Sequence, residues 1–518
     1  MKSFFAVIFI ILIGLGLYTA TIRGVYGNPQ PETIKAELEG PAKPFELSPE
    51  RGRFAHVMAL SQTGQYALTD KLGDFVSPDV GYYGGKFFSF FAPGISYMAL
   101  PFYNFGAQYN LAQVAAFSLI SLAAIGSLIF VFLICRNVLK LPVSASILAV
   151  LIFGFGSTAW SYSITLYQHL LTVFFSLSGF YAIWKFKQSG AWGWPYMAWA
   201  WLAYALAIFI DYPNALLLLP VMIYALVVSF NVSKDDQKVR VKFRPAIVLT
   251  FVVFLFITGL HFYHNQTYFG SWKRLSGSLV GIKVLQTKNL IGKEPAEIDR
   301  AIADDAAKKA NVVKVFSEEK IPNSPGTLLF SKDRGLFFYA PIFIFAILGL
   351  LLALKKSRNL EIGILLGLVG ANLFLYSSWG DPWGGWAYGP RYLIPSMAIL
   401  SMFIAYWLAN QQKWVWLKKF LVFILLAYSS AVALLGALTT NAVPPRVEAD
   451  YLHLKYNFFY NLDLLKSNTS GSFIYNTYFK AHYTLYEYGL VIYTFLMLIF
   501  LIVLFILPAF KSKDIDSG

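Results

Sequence analysis

The segment SPERGRFAHVMALS, residues 48–61, places Glu50, Arg51, Arg53 and His56 within seven positions. A carboxylate can take the proton of an attacking hydroxyl, which is general-base chemistry. A guanidinium presents a planar fork that matches the oxygens of a phosphate. Acid and cations this close together suit chemistry beside an anion. The next stretch, SPDVGYYGGKFFSFFAPGISYMALPFY (77–103), adds Asp79 as a second acid and Lys86 among aromatics. Lys86 can reach a phosphate at headgroup depth, and it fits equally a lysine that snorkels its ammonium out of an apolar region. Gly81, Gly84 and Gly85 around Tyr82 and Tyr83 allow a positive φ or a close approach of backbone to ligand.

Three further ionisable residues stand at the ends of apolar runs: His169 after WSYSITLYQ, Asp211 in DYP and Arg391 in YGPRY. Each has a plain structural reading beside the chemical one. His169 suits a packed histidine, Asp211 a turn cap at the rim of a span, and Arg391 a charge at a headgroup boundary. Trp379, Trp383 and Trp386 in SSWGDPWGGWAYGP fit an interfacial aromatic belt or a wall on which a sugar ring stacks.

The elements that must hold these groups are not composed for water. The chain has 518 residues, 57% hydrophobic and 18% aromatic, with 13% charged. An ordinary soluble domain carries about 25% charged residues. Apolar runs of about 17–25 residues recur, the length that crosses a hydrocarbon core as a helix. Lipid offers the backbone no hydrogen-bond partner, so runs without strand alternation must be helical. The fold expected is an all-α polytopic membrane protein of about twelve transmembrane helices. They lie near 4–22, 111–134, 142–159, 166–184, 193–210, 213–230, 246–263, 335–354, 360–377, 392–409, 418–437 and 487–509. The N-terminal run reads as an uncleaved first helix.

A net charge of +15 raises the question of nucleic acid, and its distribution excludes that partner. Lys2, Arg136, Lys140, Lys185, Lys187, Lys234, Lys238, Arg240, Lys242, Arg244, Lys355, Lys356, Arg358, Lys413, Lys418, Lys419, Lys511 and Lys513 sit in short segments between apolar runs. That is the positive-inside pattern, and it places both termini in the cytoplasm. Segments 23–110, 264–334, 378–391 and 438–486 then lie outside, with nearly all the polar chemistry. Within the second, PAEIDRAIADDAAKKANVVKVFSEEK (295–320) reads as a solvated surface helix. Cys135 is the single cysteine, so no internal disulfide forms, and no metal-ligand spacing is present.

Ser48 and Pro49 read as an N-cap followed by proline at the first helical position. Glu50 falls in the first turn, where the helix dipole favours its ionised form. Phe54, Val57 and Met58 recur at helical spacing, predicting a short amphipathic helix at the membrane surface.

An N-terminal span, an acid heading PERGRFAHVMAL, then YYGGKFFSFFAPG and ALPFY together resemble the first outer loop of the GT-C glycosyltransferases. The branch most similar is that of the protein O-mannosyltransferases and the lipid A aminoarabinose transferases, in its prokaryotic members. Those enzymes carry P-D/E-x-x-R-Y and then YSKxPPG in this loop. Here Glu50 stands where the family often has Asp, Phe90 and Ala92 replace the motif lysine and a proline, and Lys86 lies four residues earlier. GSTAWSYSITLYQH (156–169), DYPNALLLLP (211–220), HNQTYFGS (264–271), SKDRGLFFYAP (331–341) and GGWAYGPRYLIP (384–395) extend the resemblance over about the first 400 residues.

The resemblance implies a GT-C-like catalytic module over 1–410, with the catalytic motif in the loop 23–110. Residues 411–518 then form C-terminal helices around an outer loop, 438–486, without an assigned role. It implies an inverting glycosyltransferase that moves a sugar from a polyprenyl-phosphate donor to a lipid, glycan or protein acceptor on the extracytoplasmic face. Glu50 would be the catalytic base, with Asp79 the other acid. Lys86, Arg391 and Arg53 would hold the donor phosphate, and Tyr82, Tyr83, His169, Asp211, Trp383, Trp386 and Tyr388 the substrates. The expected partners are the donor, the acceptor and membrane lipids; no cofactor is implied, and a divalent cation stays open. Two other classes fit a multi-span chain. A lipid-glycan polymerase or ligase usually carries its key loop late in the chain, and a transporter or flippase wants charge near the bilayer midplane.

Overall fold

The computed structural model describes residues 2–189, 191–235, 238–281, 321–356, 359–411 and 415–507, with 294, 296, 297 and 319 besides. The surface helix expected over 295–320 lies almost entirely outside the described residues, as do Arg358, Lys413, Lys511 and Lys513.

The apolar runs fold as helices. In chain order the first half comprises α1 (Lys2–Thr21), α2 (Ile34–Leu38), α3 (Ser48–Thr63), α4 (Asp70–Val76), β1 (Val80–Tyr83), β2 (Lys86–Ser89), α5 (Gly94–Ala107), α6 (Ala112–Leu133), α7 (Val143–Phe155), α8 (Ala159–Tyr162), α9 (His169–Gln188), α10 (Trp194–Ile210), α11 (Asn214–Leu217) and α12 (Leu219–Ser229). There follow β3 (Phe230–Asp235), β4 (Lys238–Phe243), α13 (Ala246–Thr250), α14 (Val252–Phe269), β5 (Val280–Gly281), α15 (Ser324–Phe330), α16 (Leu336–Tyr339), α17 (Ile344–Lys356), α18 (Leu360–Ser377), α19 (Ile394–Ala409), α20 (Val415–Leu438), α21 (Arg446–Tyr451), α22 (Phe458–Lys466) and α23 (Leu485–Leu501).

Among the described residues seven helices are long and apolar enough to cross a membrane, and α7, α10 and α12 are shorter apolar helices. Helices α9 and α17 lie where two more spans were expected. The chain is thus an integral membrane protein of mostly helical architecture. Lipid supplies no hydrophobic force between helices, so close packing must hold them. Helix α17 meets α19 where a Cβ at Gly349 would stand 1.9 Å from the Phe403 carbonyl oxygen. No side chain fits that crossing.

The first long loop departs from its expected form. Helix α3 is present, and Glu50 to Ala59 are all buried. It is an internal pillar and not a surface-lying amphipathic helix, because each of its ionisable groups finds a partner inside the loop or the bundle. Glycine-rich YYGGK forms a hairpin, in which Tyr83 pairs with Lys86 and Gly84 and Gly85 take φ of 57° and 78°. A two-residue turn with both φ positive is what matches strand twist. The backbone freedom of this glycine pair therefore serves the turn. Strand β5 adds to β1 from the later loop, giving the order β2-β1-β5. The basic 230–243 segment forms a second antiparallel hairpin.

The 438–486 segment caps the base of the first loop. Phe473 N–H donates to the Ile22 carbonyl at 2.7 Å, Gly24 N–H to Gly471 at 3.2 Å, and Ser472 Oγ to Ala20 at 2.9 Å. Arg23 and Glu46 form a fully buried ion pair at 2.6 Å. Arg23 also donates to the carbonyls of Thr439 and Gly436, and Glu46 accepts the Asn441 N–H at 2.7 Å.

Candidate functional site

One cavity of about 630 Å³ opens where several helix junctions meet at one end of the bundle. Pro49 enters from α3, Phe90 to Ala92 from the end of the hairpin, and Tyr167 and Gln168 from the turn before α9. Asp211 to Pro213 follow α10, Tyr376 and Trp379 close α18, and Arg391 and Tyr392 open the approach to α19. The basic residues Arg136, Lys187, Arg244, Lys356 and Lys418 belong to the opposite ends of these helices and their connections.

Two cations and one acid are tied together here. Arg53, 1% exposed, donates to the Leu166 carbonyl at 3.2 Å and to Gln168 Oε1 at 2.7 Å. The Gln168 amide in turn hydrogen-bonds the Asp211 carboxylate. Burial pushes the Asp211 carboxyl up to about 6, against the lowering pull of Arg53, Gln168 and Arg391. The Arg391 guanidinium lies 5.7 Å from the Tyr167 ring and 5.4 Å from the Tyr392 ring. Its Nη2 donates to the Gly384 carbonyl at 2.6 Å, and the guanidinium also hydrogen-bonds the Tyr392 side chain. No carboxylate pairs with it among the described residues. The half-buried Arg391 guanidinium and Asp211 act on each other across the cavity without forming an ion pair.

Glu50 lies one layer behind the cavity, beside Pro49, and is 0% exposed. One carboxylate oxygen accepts the N–H groups of Glu46 and, at 2.9 Å, Leu47; the other accepts the Thr165 hydroxyl. The helix starts one residue earlier than expected, with Leu47 at the N-cap, so Glu50 closes the first turn onto the backbone. Burial first, and then the neighbouring Glu46, raises its proton affinity, with Thr165, Arg23 and Leu47 opposing. Its adjacent arginines are engaged elsewhere, Arg51 with Glu39 and Arg53 with Gln168. His56 stacks on Tyr66 at 3.7 Å, with Nδ1 2.6 Å from the Tyr66 carbonyl and Nε2 accepting the Ser89 N–H at 3.0 Å. Burial pushes His56 down to about 3, so it is neutral.

The other expected site residues are dispersed. Half-buried Asp79 accepts the Ser48 hydroxyl, bracing the start of α3. Lys86 is exposed at the hairpin tip and does not line the cavity. Tyr82 is buried in β1, and Tyr83 carries the Arg274 guanidinium 4.6 Å above its ring. His169, 3% exposed, stacks on Tyr167 and does not reach the cavity wall. Tyr388 is 0% exposed and bonded to Tyr162 and Val432. Trp386 donates to Glu448, and Trp383 lines a second cavity. Sequence reasoning gave no role to Tyr167, Gln168, Tyr376 or Tyr392, although all four adjoin or lie in motifs already noted. Among the described residues no group of three or more His, Cys, Asp or Glu side chains stands together as a metal site.

No protein-family model matches the chain, and no curated protein matches it in sequence. Similar solved structures include ArnT from Cupriavidus metallidurans in the apo state, with TM-score 0.48 and 13% identity over 84% of this chain and 65% of that one. The same protein bound to undecaprenyl phosphate gives 0.48 and 11%, over 96% and 76%. The archaeal oligosaccharyltransferase AglB from Archaeoglobus fulgidus, in complex with an inhibitory peptide and a dolichol-phosphate, gives 0.45 and 13%, over 87% and 58%. The chain spans less than two thirds of the first ArnT chain and of AglB.

Proposed function

We propose that this chain is an inverting membrane glycosyltransferase that uses a polyprenyl-phosphate sugar at the cavity of Arg391 and Asp211. The active site faces the extracytoplasmic side, because the basic helix ends lie at the opposite pole. The observation that carries the reading is the Arg391 guanidinium, which lines the cavity beside the membrane helices and has no carboxylate ion pair among the described residues.

The acceptor hydroxyl oxygen attacks the anomeric carbon while the bond from that carbon to the phosphate oxygen breaks. The bonding pair leaves with the phosphate, whose growing charge meets Arg391, with Arg53 behind it. The hydroxyl proton passes to the Asp211 carboxylate, whose raised proton affinity suits a general base. One displacement at one carbon inverts its configuration. Glu50 in this scheme holds the wall: it locks α3 to Thr165, two residues from Tyr167 and three from Gln168. The acceptor class is a lipid, glycan or protein bearing a hydroxyl.

The test is binding of undecaprenyl phosphate to the full chain in nanodiscs. Arg391→Ala is expected to weaken it about 10- to 100-fold, the worth of a charge-assisted hydrogen bond or two, in a protein that still folds, its stability lowered by about 1 kcal/mol for the lost Gly384 bond. Equal affinity in both proteins would remove the phosphate from this cavity.

A further inference from the structure

A second cavity, of about 600 Å³, lies on the other side of the 381–385 turn. Its walls include Trp383, Tyr456, Asp381, Glu448, Lys332 and Arg446. Trp383 is 41% exposed, and the Arg446 guanidinium sits 5.7 Å from the Tyr456 ring. Beneath it Arg334, 1% exposed, donates to the carbonyls of Trp383 at 3.0 Å, Gly385 at 3.0 Å and Val443 at 3.1 Å. The carbonyl between the first two, Gly384, accepts from Arg391 of the first cavity. One turn is thus the partition between both cavities, its three successive carbonyls fixed by two arginines.

The chemistry of the two sides differs. The first cavity brings Arg53 and Arg391 toward one acid, a surplus of positive charge. Around the second, Lys332 and Arg446 face Asp381 and Glu448, while Asp333 is already paired with Arg334 at 2.7 Å and Arg446 also lies 3.8 Å from Asp450. A balanced wall selects a neutral ligand, and carboxylates and an ammonium beside an aromatic face suit a pyranose. Its C–H face stacks on Trp383, and its hydroxyls donate to carboxylate oxygens and accept from the ammonium. An acyl chain would leave those charges desolvated and unpaired.

We infer that the second cavity binds a neutral saccharide, the carbohydrate part of the acceptor, across the partition from the donor phosphate. This rests on the reading of the first cavity as the donor site. It deepens that reading by choosing a glycan-bearing acceptor.

The full chain in nanodiscs is applied to an array of neutral mono- and oligosaccharides, with undecaprenyl phosphate binding measured in parallel. Wild-type protein is expected to retain a subset of saccharides. Trp383→Ala is expected to weaken that binding at least 10-fold and Trp383→Phe less than 3-fold, with undecaprenyl phosphate affinity unchanged in both. Trp192→Ala, at an 86% exposed tryptophan outside the cavity, serves as the control. If Trp383→Ala does not fold, Tyr456→Ala on the same cavity must show the loss. Absence of saccharide binding in wild type, or binding indifferent to both substitutions, overturns the inference and leaves the donor site standing. Loss of undecaprenyl phosphate binding by wild type itself would instead overturn the donor reading.

Discussion

Arg334 and Arg391 grip the same turn from two sides, and only one of them is complete. Arg334 makes five hydrogen bonds, to the carbonyls of Trp383, Gly385, Val443 and Asp333 and to the Asp333 carboxylate. Arg391 donates to the Gly384 carbonyl and hydrogen-bonds the Tyr392 side chain, and no carboxylate pairs with it among the described residues. A guanidinium has five N–H donors, so Arg334 has none left for a ligand. On the proposed function, the contrast separates an arginine that builds a wall from one that meets an anion. Both stand in short aromatic motifs, SKDRGLFFYAP and WAYGPRY, and nothing in residue type distinguishes them.

The hardest way to break this contrast is to remove the saturated partner. Arg334→Ala removes the ion-pair partner of the Asp333 carboxylate and leaves the Trp383 and Gly385 carbonyls without donors, while Val443 keeps the Ala387 N–H. Breaking a buried pair from one side costs about 3–5 kcal/mol, enough to abolish folded protein in most hosts. Thermal unfolding in detergent measures it. A variant as stable as wild type would mean that the turn holds itself, and the division of labour between the arginines would fail.

Asp211 sharpens the same contrast from the acidic side. Asp211→Asn keeps shape and Gln168 contact while removing the proton acceptor, and turnover is expected to fall about 10²- to 10⁴-fold. A base must be deprotonated to work. Wild-type kcat is therefore expected to decline as pH falls through about 6, the raised value that burial gives this carboxyl. A pH profile flat across that window, or an active Asn variant, transfers the proton elsewhere.

Much of the scaffold could be read from residue order alone, for a physical reason. Lipid forbids unpaired backbone, so an apolar run such as 111–134 must be a helix, and α6 occupies Ala112–Leu133. Basic segments fixed which junctions share an end, and the cavity is lined by junctions at the other. Side-chain saturation could not be read. Asp211 and Arg391 stood out as candidates, yet the link through Gln168 depends on contacts between distant segments. Arg53 reaches Gln168 across 115 positions. The strands also escaped, because aromatic alternation in VGYYGGKFFS is masked by neighbours that are apolar on both faces, and only the Gly-Gly pair marked the turn.

The smallest expected effect concerns Glu50, and it separates wall from base. A protonated Glu50 would keep its two backbone N–H bonds on one oxygen and donate from the other to Thr165. Glu50→Gln reproduces that arrangement, with the amide N–H₂ in place of the O–H. The folded protein raises the proton affinity of Glu50 above the ordinary 4.5. The stability linked to this group is therefore full below that value and lost as pH rises through the raised one. Gln cannot ionise, so wild type and variant are expected to differ by at most about 1 kcal/mol in acid, an ordinary net hydrogen-bond difference. As pH rises, the variant should gain relative to wild type. Turnover should stay within a few-fold at every pH if, as proposed, Asp211 takes the proton. A Gln variant that unfolds like wild type but loses turnover 100-fold would return the base to position 50, and Arg391 would then serve a reaction centred one layer deeper.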